Sequence, residues 1–348
     1  MNFLYESFRL RESLIKINAT NLTNRNVLIL SIYYLLIVAL SKLIIRKKKY
    51  KGEKSISITW SKTHENRIGS LTESSHVENQ RQVKLGKCIP FKSLFFIQQD
   101  ISLGHILMTS YRCSTGVQSF AFNFVSLAEY NFISSIIGNE VSSVCIAGHF
   151  DRYSYTINQV CQEKCIRLTV CQHGAMPRLC GLPKFVVDTT YLLYDVSKSY
   201  FERIFDCKNY LVVNDNYKDF KKINSGRRLP NDTVVFVGQQ SNPKLNERII
   251  NLLILSDNAV CHIKHPLDDN NYNVSDEKRY FETDEFPSNP TLVVSRYSTL
   301  AYNYYLAGFE VVFVTDDRVD VDFISSSRVS KVKLVNLKYF LRERTNVQ

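Results

Sequence analysis

The 348-residue chain contains no Cys-x-x-Cys pair, no internal repeat and no low-complexity tract. Its nine cysteines are too sparse for the framework of a small secreted disulfide domain, and they read as reduced core residues of a cytoplasmic protein. Cys161 and Cys165 stand at helical spacing, with Cys171, His173 and Cys180 downstream, but the tight pairing of a zinc site is missing. These thiols are expected to be buried, and no metal ligand is assigned. No ribonucleoprotein, helix-turn-helix or zinc-finger pattern is present and the basic residues are dispersed, which argues against nucleic acid as a partner. No Asp-x-Asp stands at a clear strand tip, and Thr315–Asp317 reads as a ribose or sugar contact, or as a loop.

What the chain does have is positive charge and aromatic residues. Lys and Arg number 44 against 33 Asp and Glu, a formal net charge of +11, which suits anionic partners such as lipid headgroups or phosphorylated ligands. With 21 Phe, 20 Tyr and 45% apolar residues, the composition is that of a folded chain, long enough for two domains. Val27 to Ile45 read VLILSIYYLLIVALSKLII, followed by RKKKYK. No small-x-small cleavage site follows, and the charged stretch before the run is too long for a signal peptide. Three readings stand: a transmembrane helix with the basic cluster on the cytoplasmic side, an interfacial helix on anionic lipid, or a buried helix. The polybasic tail favours an anionic membrane surface as a partner, at the cytoplasmic face of the inner membrane.

Between Lys51 and Lys87 the chain is polar, with one strand, SISITW, and otherwise loop or weak helix. Beyond it, strand and helix patterns alternate. FKSLFFIQQ, VSSVCIAG and IRLTVC read as strands, while FNFVSLAEYNFISSII and RYSYTINQVCQEKC read as helices. After the basic stretch NYKDFKKINSGRRLPND the rhythm restarts with TVVFVG, KLNERIINLLILS, NAVCHIKHP, PTLVVS and FEVVFVTDD. The expected fold is α/β, with two facing Rossmann-like domains and an N-terminal apolar helix. The expected divisions are 1–50 for the helix and basic cluster, 51–225 for the first domain and 226–348 for the second.

In open parallel sheets, ligands bind beyond the carboxyl ends of the strands, so strand tips carry the candidate chemistry. LTVCQHGAMPR puts His173 at such a tip, where a histidine can accept a proton near neutral pH, and Gly174 follows for a sharp turn. GHFDR offers the rival pair His149 and Asp151, with Asp151 as an alternative base. His64, His76, His105 and His262 read as surface or core residues. In the second half, Gly238 and Gln239 end one strand, and Lys264, His265 and Pro266 end the next. Ser295, Ser298 and Thr299 then lead from a strand into a helix, where hydroxyls and open N–H groups make an anion site.

The motifs VVFVGQQ, KHP and SRYST over residues 232–315 resemble the nucleotide-sugar-binding domain of GT-B glycosyltransferases. More narrowly, they resemble the bacterial sialyltransferase, polysialyltransferase and capsule transferase families; QHG also recurs in surface-polysaccharide transferases. The resemblance implies an inverting, metal-independent glycosyltransferase. It would move a sugar, sialic acid from CMP-sialic acid among the candidates, onto a glycan or lipid-linked glycan acceptor such as lipopolysaccharide O-antigen or capsule. His265 would contact the nucleotide, and Ser298 and Thr299 its phosphate. No cofactor is implied beyond the nucleotide-sugar substrate. The acidic-acidic-Gly motif that carries the base in those sialyltransferases is missing here. The alternatives are a sugar-nucleotide epimerase of the same shape and a non-catalytic, membrane-tethered polysaccharide assembly protein.

Overall fold

The computed structural model describes residues 24–45, 54–74, 76–77, 80–86, 88–92, 101–148, 152–174, 184–213, 223–230, 232–240, 242–265, 268–296, 298–315 and 328–345. The chain divides into two compact units. The first takes Met1–His173, Leu182–Leu192 and Phe201–Val213; the second takes Gly174–Gly181, Leu193–Tyr200 and Asn214–Gln348.

In the first unit, α1 (Asn24–Ile45) precedes β1 (Ser55–Thr59), α2 (Lys62–Glu73), β2 (Arg81–Lys84), α3 (Leu103–Arg112) and α4 (Val117–Ile136). Then come β3 (Ser143–Ile146), α5 (Arg152–Glu163), β4 (Arg167–Cys171), β5 (Phe185–Leu192), α6 (Lys198–Ile204) and β6 (Phe205–Val212). All strand pairs are parallel and the order is β2-β1-β3-β4-β5-β6, with Ile58, Ile146 and Val170 in register across the centre. The chain thus reverses direction across the sheet between β1 and β3.

The second unit holds β7 (Thr233–Val237), α7 (Pro243–Ile254), β8 (Ala259–Ile263), β9 (Tyr280–Thr283), β10 (Leu292–Ser295), α8 (Thr299–Leu306), β11 (Val311–Thr315), β12 (Val329–Lys333) and α9 (Leu337–Thr345). Its order, β12-β11-β10-β7-β8-β9, again all parallel, is the doubly wound Rossmann order with the reversal between β7 and β10. Strands covered on both faces are apolar throughout, and β7 is buried at all five positions. Val234, Phe236, Val294 and Val312 pack on Ile249, Ile250 and Leu253 of α7 and on Leu337 and Leu341 of α9. Two parallel six-stranded sheets with flanking helices make this a two-unit α/β, GT-B-like fold.

Several expectations change. The stretch 51–87 also forms α2 and β2. The buried face of α2 carries His64 and Arg67 beside Ile68 and Leu71, so polar residues break its apolar period. The short edge strands β9 and β12 are only partly buried and carry no continuous apolar run. The strand expected at FKSLFFIQQ lies mostly outside the described residues.

The apolar run near the start forms α1. Among the described residues, no helix is long and apolar enough to cross a membrane. One face of α1, with Val27, Tyr34, Ile37 and Val38, is buried, and the helix packs against α4 and touches α3. Tyr34 donates to buried Glu129 at 2.8 Å and accepts from the Ile89 N–H at 3.2 Å, while Tyr33 donates to the Ile89 carbonyl at 2.7 Å. Tyr34→Phe removes the hydroxyl from both contacts in a dry setting. We expect it to lower unfolding free energy by about 1–3 kcal/mol in denaturant titration, with unchanged secondary structure by circular dichroism.

Candidate functional site

Each reversal of strand order opens a crevice beyond the strand tips, and each unit carries candidate residues at its own. In the first unit, β1 runs out through Trp60 into Ser61, whose side chain accepts from the His64 N–H and caps α2. His64 therefore stands in the first turn of that helix, edge-on to Trp60 at 4.6 Å between ring centroids. β4 runs out through buried Gln172 to His173. The His173 ring reaches across to the tip of β3, where Nδ1 meets the Ala147 carbonyl. A carbonyl only accepts, so Nδ1 carries the proton and Nε2 is the lone-pair nitrogen. The His64 and His173 rings meet at 4.6 Å between centroids.

Arg67, one turn further along α2 and 6% exposed, underlies the pair. Its Nε donates to the Gln172 carbonyl at 2.9 Å and its Nη2 to the Val213 carbonyl at 3.2 Å. Burial lowers the His173 pKa; the Ala147 carbonyl opposes that shift and the Arg67 charge adds to it. Burial and then His173 push His64 down to about 3. Both rings are therefore neutral at neutral pH. Nδ1 of His64 is buried with no hydrogen-bond partner among the described residues. Beneath the tips, the Cys145 and Cys171 sulfurs lie 3.5 Å apart as free thiols, and the hydrogen bond with Cys171 and then burial raise the Cys145 pKa. His149 and Asp151 lie outside the described residues, as do Pro177, Arg178 and Cys180.

The second unit is built around β7, β8 and β10. The Gly238 N–H donates to the Ile263 carbonyl at 2.9 Å, and the Ser295 hydroxyl donates to the Val237 carbonyl at 3.0 Å, which stitches the two strands of the reversal together. Gly238 is required here for space: a Cβ would fall 2.4 Å from His262 Nε2. The Gln239 carbonyl accepts from Asn246 at 2.5 Å. Ser298 caps α8 by accepting from the Leu300 N–H at 3.2 Å. A Cβ on Gly174 would lie 2.8 Å from Thr299 Oγ1, so that glycine also serves close packing; among the described glycines only Gly308 has a φ in the left-handed region. Lys264 pairs with Glu282 at 2.9 Å. The His265 carbonyl accepts from the Asp268 N–H at 2.8 Å, and burial lowers the ring's pKa against the pull of Asp268. Pro266 lies outside the described residues.

From the sequence His262 reads as a surface or core residue. It is fully buried, and its chemistry is organised: Tyr280 donates to Glu282 at 2.7 Å and so accepts from His262 Nδ1 at 2.8 Å. That leaves Nε2 as an acceptor beside Gly238 with no partner among the described residues. Burial holds His262 at about 4. Burial alone would raise the Glu282 pKa, but Lys264 and Tyr280 outweigh it and keep the carboxylate ionised. Sequence spacing could not pair His64 with His173, because their contact depends on strand order. The signal for His262 was the glycine ending the neighbouring strand. His76 and His105 are exposed. Among the described residues, no cluster of three or more His, Cys, Asp or Glu is placed to hold a metal.

No protein-family model matches the chain, and no curated protein matches it significantly. Among solved structures, the Methanocaldococcus jannaschii UDP-GlcNAc 2-epimerase in complex with UDP-GlcNAc and UDP is similar over 85% of this chain and 92% of that chain, at 11% identity and a TM-score of 0.49. S. aureus MnaA with UDP is similar over 85% of this chain and 87% of that one, at 8% identity and a TM-score of 0.42. At these identities and scores, the likeness transfers neither an activity nor a ligand.

The neutral histidines His64, His173 and His262 fix a pH dependence. Below an ordinary histidine pKa of about 6.5, the unfolded chain binds protons that the folded chain refuses, so stability falls as pH falls. Each of His64 and His262 contributes up to about 1.4 kcal/mol per pH unit until its folded value is reached. We expect urea unfolding to show falling stability from about pH 7 to about pH 5. A flat profile over that window contradicts the burial of these rings.

Proposed function

We propose that the protein is an enzyme acting on a nucleotide sugar; the second unit offers the β7–β10 reversal as a nucleotide site, and the first unit offers His173 as a proton acceptor. The observation that carries this reading is the state of His173. Its ring is neutral at neutral pH, oriented by the Ala147 carbonyl and partly exposed at a strand-order reversal. A neutral imidazole with its other nitrogen donating to a fixed acceptor is prepared to take a proton through Nε2. In the second unit, the capped start of α8 offers N–H groups to a phosphate, and Lys264 and His265 follow β8, which lies on the other side of β7.

Two reactions of this substrate class begin with such a proton transfer. In inverting glycosyl transfer, Nε2 takes the acceptor hydroxyl proton as the acceptor oxygen bonds to the anomeric carbon. The bond from that carbon to the phosphate oxygen breaks, and the nucleotide leaves with the electron pair. The motifs shared with polysaccharide transferases support this reaction, with a glycan or lipid-linked glycan as acceptor. In epimerisation, the activity named for the Methanocaldococcus jannaschii structure above, a proton leaves a sugar carbon and one returns to its opposite face, and no acceptor is needed.

The purified protein should be tested with CMP-, UDP- and GDP-sugars in D2O, with and without glycan acceptors. Acceptor-dependent donor consumption identifies transfer; deuterium on a sugar carbon without acceptor identifies epimerisation. His173→Ala should lower turnover of the active donor about a hundredfold or more while nucleotide affinity is nearly constant. His173→Gln, which keeps hydrogen bonding but cannot carry the proton, should be equally inactive. Full turnover in His173→Gln removes the histidine as base. No turnover of any nucleotide sugar contradicts the substrate class.

A further inference from the structure

We infer that α1 is a membrane-docking helix that lies flat on an anionic lipid surface while staying attached to the first unit. The inference does not depend on the proposed reaction. Leu28, Ile29, Ile32, Leu35, Leu36 and Leu40 are 38–60% exposed, and Ala39 among them is exposed too. At about 100° per residue, these positions fill about 140° of the helix circumference. Between Leu28 and Leu40 no polar or charged residue interrupts that arc. Six large aliphatic side chains in one exposed stripe exceed the scattered apolar residues of an ordinary surface and mark an interaction site.

The opposite face decides between lying on a membrane and crossing it. Val27, Tyr34, Ile37 and Val38 are 0–2% exposed, and Tyr34 is hydrogen-bonded to Glu129 of α4 and to the backbone of Ile89. A spanning helix would have to give up these bonds and bare the face of α4 that it covers. A helix at the interface keeps them and buries only the free arc. The occupant is assigned by charge. The helix is followed at once in sequence by Arg46, Lys47, Lys48, Lys49 and Lys51, and the whole chain carries +11. An apolar stripe next to a basic cluster matches the acyl and headgroup layers of an anionic bilayer.

The test uses the full-length protein with vesicles of phosphatidylcholine alone and of phosphatidylcholine with phosphatidylglycerol. The protein should sediment with the mixed vesicles, more weakly with the neutral ones and less as salt rises. The triple variant Ile29→Gln, Ile32→Gln, Leu36→Gln changes only exposed positions. It should keep the wild-type melting temperature and lose about tenfold or more in vesicle affinity. Neutralising Lys47, Lys48 and Lys49 to Gln should reduce binding to the mixed vesicles but not to the neutral ones. Alkaline carbonate should strip the bound protein. Absence of vesicle binding, or equal binding by the triple variant, overturns the inference. So does a lipid-free dimer that the triple variant dissolves, which would give the stripe to a second copy. Retention after the carbonate wash would show a spanning helix instead.

Discussion

A parallel strand cannot be joined to its neighbour by a tight turn. Every connection in these two sheets has to cross over and start again from the same edge, so all the strand tips of a unit open on one edge. Wherever the winding reverses, the connections leave in opposite directions and a crevice stays open between two tips. The first unit reverses between β1 and β3, the second between β7 and β10. The residues with unusual chemistry stand at or beside these points: His64 and His173 follow β1 and β4, and His262 lies on β8, next to β7.

At both reversals the protein keeps histidines neutral by burial and sets their tautomers by fixed partners. The Ala147 carbonyl assigns the proton of His173 to Nδ1, and Tyr280, itself committed to Glu282, does the same for His262. The two rings differ in access. His173 is partly exposed, whereas His262 is sealed under Gly238 and supports the turn above it. The Lys264–Glu282–Tyr280–His262 chain therefore joins the charge at the end of β8 to the floor of the turn after β7.

Much of this was legible in the sequence where burial is uniform. β7, β8, β10 and β11 are short apolar runs, and Ser298 announces the start of α8 by its hydroxyl. Elements that bury polar groups were not legible. α2 hides its inward face behind His64 and Arg67, which bond to backbone carbonyls far away in sequence. The partnership of His64 with His173 follows from the order β1-β3-β4, which no local pattern encodes. For α1 the sequence left three readings open, because its apolar residues run all round the helix. The bond from Tyr34 to Glu129 separates the packed face from the free one.

The claim on which the account rests is that the β7–β10 reversal holds a nucleotide. Calorimetric titration of CMP, UDP and GDP into the full-length protein and its His265→Ala variant tests it most directly. His265 lies two residues beyond the end of β8, the strand next to β7, and is the residue proposed to donate to a phosphate or ribose oxygen. The account predicts that at least one nucleotide binds and that the variant, still folded, binds it about tenfold more weakly, the loss of one hydrogen bond to a charged group. Binding of that nucleotide with equal affinity by the variant, or binding of none by the native protein, would contradict it.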